Sequence, residues 1–109
     1  MNTCESVAKR IRSSIDKEGT EIARAYLYIL TNDLHDAPFG FIEDVYVNSA
    51  HRGTGAGREL LNAVLTRAQA EKCYKLIATS RNDGTKQSVH DWYTRLGFRN
   101  YGIEFRIDF

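Results

Sequence analysis

The chain has 109 residues, 42% of them hydrophobic and 27% charged, with a formal net charge of +1. That length suits one domain with one core. The composition excludes a disordered or collagen-like chain, and the near-neutral charge leaves no broad electrostatic footprint for nucleic acid. No run approaches the roughly 18–20 apolar residues of a membrane helix. Met1 to Arg12 carries Glu5, Lys9, Arg10 and Arg12 with no long apolar stretch, which does not fit a signal peptide. The expectation is a cytoplasmic protein without membrane or nucleic-acid partners. Cys4 and Cys73 lack CxxC spacing and are expected as reduced thiols. With Pro38 as the single proline, and no linker or repeat, residues 1–109 are expected to form one unit.

In chain order, Val7, Ile11 and Ile15 alternate with polar residues as in a half-exposed edge strand. Asp16-Lys17-Glu18-Gly19 signals a turn, and Ile22 to Leu30 predicts a second strand forming an antiparallel hairpin with the first. Asn32 to Pro38 reads as a polar loop. Phe39 to Val47 predicts a third strand, apolar on both faces except at Glu43 and Asp44. The period then becomes helical. Leu60, Leu61, Val64, Leu65 and Ala68 form one stripe of a helix from about Gly55 to Lys72. Tyr74 to Thr79 predicts a short apolar strand. Val89, Trp92, Tyr93 and Leu96 predict a second amphipathic helix from Lys86 to Leu96, stopped by Gly97. Ile103, Phe105, Ile107 and Phe109 alternate with polar residues, predicting a C-terminal strand. The order β-β-β-α-β-α-β implies an α+β fold. Its sheet is mixed and mostly antiparallel, with one right-handed parallel crossover flanked by helices.

The segment from Val45 to Arg58 carries the most information. A buried strand enters a glycine-rich turn, which opens an amphipathic helix. Glycines let a ligand approach backbone N–H groups closely, and the first N–H groups of a helix lack partners and favour negative charge. Phosphate oxygens suit such a place, and Arg52 and Arg58 bracket it with positive charge. Gly57 is followed by Arg58-Glu59, which excludes a P-loop. Gly53, Gly55 and Gly57 give G-x-G-x-G, and no acidic residue closes Tyr74–Ser80, so a dinucleotide fingerprint also fails. A tight strand–helix connection with no ligand is the remaining alternative.

Arg52-x-x-Gly55-x-Gly57 resembles motif A, Q/R-x-x-G-x-G/A, of the GNAT N-acetyltransferase superfamily. Ile42 to Val47 before it, and Trp92-Tyr93-Thr94-Arg95-Leu96-Gly97-Phe98 after it, are similar to further segments of that family, in the same order. The resemblance spans about Gly19 to Phe109. It implies the acyl-CoA N-acyltransferase fold, acetyl-CoA as donor and a small-molecule or peptide amine as acceptor. The CoA diphosphate would be held by Arg52, Gly53, Thr54, Gly55, Ala56, Gly57 and Arg58. The strands Phe39–Val47 and Tyr74–Thr79 would splay to admit pantetheine along the backbone of Val45, Tyr46 and Val47.

Direct transfer to an amine needs a positioned thioester, a neutral amine and a proton for the departing thiolate, but no covalent enzyme intermediate. The resemblance implies Tyr93 as the hydrogen-bond or proton donor to the sulfur; a core tyrosine is the alternative. Glu43 shares an expected face with Phe41, Val45 and Val47, and Asp44 shares the other with Ile42 and Tyr46. Either carboxylate is a candidate base, and either is also a candidate partner for an arginine or a lure for a cationic acceptor. His35, His51 and His90 are weaker candidates, and no pair has metal-ligand spacing, so no metal is expected. Two features depart from the family pattern. The Asn seven residues before the helix tyrosine is replaced by Lys86, which with Arg81 is a candidate for CoA phosphates. The strand and two helices that usually precede the hairpin have no counterpart, which implies an open acceptor site or a homodimer. An acyl-CoA-binding module without turnover and a non-catalytic interaction domain are the competing functions.

Overall fold

The computed structural model describes residues 1–109. The chain divides into two compact units, Met1–Ala78 and Thr79–Phe109. The first holds a four-stranded sheet in the order β1-β2-β3-β4, formed by Lys9–Lys17, Thr20–Asn32, His35–Val47 and Leu76–Ala78. Helix α1, Ala56–Ala70, connects β3 to its parallel neighbour β4, and the other two pairings are antiparallel. The β1–β2 turn is a two-residue hairpin in which Glu18 and Gly19 both take positive φ, 53° and 78°. Such a turn matches the right-handed twist of its strands. This is the expected α+β architecture, with β1 at the edge.

The sheet has two distinct faces. Ala23, Ala25 and Leu27 of β2 and Ile42 of β3 are buried on the inner face. Leu60, Leu61, Val64 and Ala68 of α1 are buried with them and complete the core of this unit. Burial of each large aliphatic chain contributes about 1.5–3 kcal/mol. Small alanines at positions 23 and 25 leave room for a helix to lie close. The outer face carries Arg24, Tyr26 and Tyr28 of β2 opposite Tyr46, Glu43 and Phe41 of β3. A cluster of Lys9, Arg67 and Glu71 ties β1 to the end of α1, with both cations 3.1 Å from the carboxylate. These two partners hold the Glu71 carboxyl below the usual carboxylate range, the Lys9 hydrogen bond first.

Three boundaries differ from the sequence expectation. The Asn32–Pro38 loop shrinks to the two residues Asp33 and Leu34, because Asn32 pairs with His35. Pro38 lies inside β3 where the register shifts, so no ladder bond needs its missing N–H, and its carbonyl accepts from Tyr74 N–H at 2.9 Å. Strand β4 is only three residues long. The C-terminal strand is absent: Ile103–Phe109 pair with no other strand, and their apolar side chains are 78–116% exposed. Alternation marks which side of a strand would be buried, but a strand also needs a neighbour for its N–H and C=O groups.

The second unit contains α2, Gln87–Arg95. It ends in a Schellman motif: Gly97 takes φ 101°, Phe98 N–H donates to Tyr93 C=O at 3.0 Å, and Gly97 N–H to Thr94 C=O at 3.1 Å. No helix of the protein is long and apolar enough to cross a membrane, and no group of three or more His, Cys, Asp or Glu is placed to hold a metal ion.

Candidate functional site

The site is built where β3 ends and α1 begins. Val47 leads through Asn48 into a short 3-10 turn, Ser49–His51, whose Ala50 N–H donates to the Asn48 side chain at 2.9 Å. Gly53 and Gly55 then take φ of 77° and 91°, and α1 starts directly after Gly55 with no side-chain cap. L-residues with a Cβ rarely adopt such values, which is why glycines stand at both positions. The first bond of this helix is Glu59 N–H to Gly55 C=O at 3.0 Å. The amides of Gly55, Ala56, Gly57 and Arg58 have no acceptor in the protein. Thr54 is turned away, with its N–H and hydroxyl both donating to His51 C=O. Four converging amides at a helix N-terminus, flanked by the exposed Arg52 and Arg58, suit an anion.

Beside this cradle, β3 has a free edge. Its parallel ladder with β4 covers only Gly40, Phe41 and Ile42, opposite Leu76, Ile77 and Ala78. From Glu43 to Val47, β3 pairs with β2 on one side and with no strand on the other. A β-bulge sits here: between the pairs Tyr26–Glu43 and Arg24–Tyr46, β3 carries one residue more than β2, and Asp44 takes φ 53°. Asn48 N–H donates to Ile22 C=O at 2.7 Å, which makes the pair Ala23–Val47 a non-hydrogen-bonded one. The N–H and C=O of Val47 therefore point away from β2, towards the edge that Gly40 N–H uses to reach Lys75 C=O. By alternation the same holds for Val45, while Tyr46 faces β2. Arg52 Nε donates to Val47 C=O at 3.2 Å.

The bulge splits the expected faces of the two carboxylates, keeping Glu43 with Phe41 but parting it from Val47. Strict alternation would put Glu43 with Val45 and Val47. The extra residue instead leaves Glu43 with Phe41 and Tyr46 on the outer face, opposite Tyr26, and moves Val47 to the inner face opposite Ala23. Asp44 is engaged by Arg24 through two hydrogen bonds, Nε to Oδ2 at 3.1 Å and a second guanidinium nitrogen to Oδ1 at 3.2 Å. That pairing lowers the Asp44 pKa, the opposite of what a base at neutral pH requires. Arg24 also lies over the Tyr46 ring, 4.7 Å from its centroid. Glu43 is exposed and has no ion-pair partner.

In the second unit, Tyr93 packs edge-on against Phe98 at 5.3 Å and beside Trp92 at 5.7 Å. Burial raises its pKa, so the phenol is protonated at neutral pH. The Tyr93–Phe98 contact is also the apolar contact that accompanies a Schellman motif, so the segment has a structural role of its own. Lys86 is the N-cap residue of α2 without a side-chain capping bond. His90 Nε2 lies 3.0 Å from Arg81 C=O, and His35 stacks on Tyr74 at 4.1 Å. Sequence reasoning missed the role of Arg24, because a cation in a strand carries no sign of its cross-strand partner. It also missed the contact between Arg52 and Val47.

Residues 8–98 match the acetyltransferase (GNAT) family. A glucosamine 6-phosphate N-acetyltransferase of Trypanosoma brucei brucei is 35% identical over 69 residues, 63% of this chain and 44% of that protein. A probable glucosamine 6-phosphate N-acetyltransferase 2 of Oryza sativa subsp. japonica is 33% identical over 70 residues, 64% of this chain and 39% of that protein. The matched segment is thus less than half the length of either curated relative. The crystal structure of an acetyltransferase of Trypanosoma brucei superposes with a TM-score of 0.83 at 26% identity, covering 92% of this chain and 69% of that one.

Proposed function

Because this chain belongs to the acetyltransferase (GNAT) family, we propose that it moves an acetyl group from acetyl-CoA directly to a primary amine, and that the acceptor is an amino-sugar phosphate of the glucosamine 6-phosphate type. The observation that carries the donor half is the continuity of two features: four amides without acceptors at the N-terminus of α1, and the free edge of β3 from Glu43 to Val47. The first suits the diphosphate of CoA. The second offers N–H and C=O groups of Val45 and Val47 to the amide-bearing pantetheine arm, as another strand would take them. The acceptor half rests on the two curated relatives.

In this reading the neutral amine attacks the thioester carbonyl, a C–N bond forms, and the C–S bond breaks with the electron pair leaving on sulfur. The amine proton goes to Glu43, directly or through water, since this carboxylate is exposed and unpaired. Asp44 keeps its charge beside Arg24 and draws the ammonium form of the acceptor towards the bulge, where the ammonium gives its first proton to water before the neutral amine attacks. The likeness of Trp92–Phe98 to the family's segment supports Tyr93, whose phenol burial keeps protonated, as donor of a proton to the departing thiolate. Arg58, beside the free amides of α1, serves the CoA diphosphate.

The test is calorimetry with acetyl-CoA, followed by thiol release in the presence of glucosamine 6-phosphate and a panel of other amines. Binding with acceptor-dependent thiol release is expected. Binding without release for any amine would leave a CoA-binding module, and absence of binding would end the reading.

A further inference from the structure

Arg52 stands between the two parts of the donor site and touches only one of them. Its Nε donates to Val47 C=O at 3.2 Å, and that carbonyl lies on the unpaired edge of β3. Val47 C=O is the acceptor nearest the glycine turn that an entering amide-bearing arm would meet. Arg52 is exposed and has no carboxylate partner, so nothing else anchors its guanidinium. Its charge lies at the start of the turn Gly53–Gly55, which leads to the free amides of α1. A diphosphate placed there competes for the guanidinium with a neutral carbonyl, and it offers what the carbonyl lacks: an opposite charge and oxygens that can accept two parallel N–H bonds.

Resting on the donor site proposed above, we propose that Arg52 is a specificity-determining latch for the acyl donor. With no anion in the turn it closes on Val47 C=O and blocks the last backbone acceptor of the slot. A diphosphate draws it off and frees that acceptor for the thioester arm. The latch couples the two ends of one ligand. Donors carrying a diphosphate, as CoA thioesters do, open the slot that they then fill. Thioesters on a bare pantetheine arm must break the Arg52–Val47 bond without compensation, so the protein discriminates against them. Arg52 acts here as a positioning residue through Val47 and does not touch the reacting atoms.

The test uses two fragments of the donor, ADP for the diphosphate and S-acetylpantetheine for the arm, titrated by NMR into wild-type protein and Arg52→Ala. Loss of the latch and of the phosphate contact pull in opposite directions. Arg52→Ala should bind acetyl-CoA about 10-fold more weakly yet bind S-acetylpantetheine about 3–10-fold more tightly, the size expected for removing one exposed hydrogen bond that binding must otherwise break. In wild-type protein, saturating ADP should tighten S-acetylpantetheine by about 3-fold or more, and in Arg52→Ala this coupling should vanish. The coupling measured on wild-type protein does not depend on the variant folding. Weaker or unchanged S-acetylpantetheine binding in a folded Arg52→Ala, or no ADP coupling in wild type, would overturn the latch while leaving the donor site standing. Failure of wild-type protein to bind acetyl-CoA would remove both.

Discussion

Gly40→Ala tests how the sheet holds the strand pair that frames the site. Gly40 is buried in β3 opposite Leu76 and donates its N–H to Lys75 C=O at 3.0 Å. A Cβ built there would meet Leu76 Cδ1 at 2.7 Å, Leu27 Cδ1 at 3.1 Å and Cys73 Sγ at 3.6 Å. The tightest contact is with the end of a flexible side chain, so Leu76 can move, but in doing so it loosens the three-residue β4. Overpacking of this kind costs about 1–3 kcal/mol, and the mobile neighbour argues for the lower half, about 1–2 kcal/mol. For a chain of this size that lowers Tm by roughly 5–10 °C. Thermal and urea melts of Gly40→Ala, of Leu76→Val, and of the double variant form a cycle. Leu76→Val removes the methyl that clashes, so the double variant should lose about 0.5–1.5 kcal/mol less than the sum of the singles. A Gly40→Ala protein as stable as wild type, or strict additivity in the cycle, would refute the claim that a glycine is needed for close approach of β4.

Gly55→Ala should cost about 1–2 kcal/mol in a urea melt, because φ 91° is strained for any residue with a Cβ although nothing lies within 4 Å of it. It should also weaken acetyl-CoA binding in calorimetry by tilting the free amides. Tyr93→Phe should lower turnover by about 10²-fold, the lower end for a proton donor, with acetyl-CoA affinity unchanged; an unaffected rate would leave Tyr93 only its packing role against Phe98. Glu43→Gln should lower kcat at neutral pH, whereas Asp44→Asn should chiefly raise KM for the ammonium-bearing acceptor; steady-state kinetics showing the reverse would exchange their roles. Glu21, Asp44 and Glu71 each bind a proton more weakly in the folded chain than in the unfolded one, held down first by hydrogen bonds from Arg12, Arg24 and Lys9 respectively. Their contribution to stability is therefore full above about pH 4–5 and is lost as pH falls through their lowered pKa values. Melts between pH 7 and pH 2 should show that loss, and flat stability across the range would contradict these pairings.

What the sequence determined by itself was local. The stripe of Leu60, Leu61, Val64 and Ala68 fixes which side of α1 is buried, because helical period alone sets that face. Glycines at 53 and 55 announce positive φ, and Tyr93-x-x-x-Gly97-Phe98 announces the helix end, because a left-handed residue and its two closing bonds lie within six positions of the chain. What only the tertiary structure decided involves two strands at once. The bulge at Asp44 exists because β3 is paired with β2 through one residue fewer. From that single extra residue follow the parting of Glu43 from Val47, the Arg24–Asp44 pair and the turning of Val47 towards the free edge. The same limit explains the C-terminal segment. Alternation in Ile103–Phe109 says which side would be covered, but a strand is made by the hydrogen bonds of a neighbour, and no sequence window contains its neighbour.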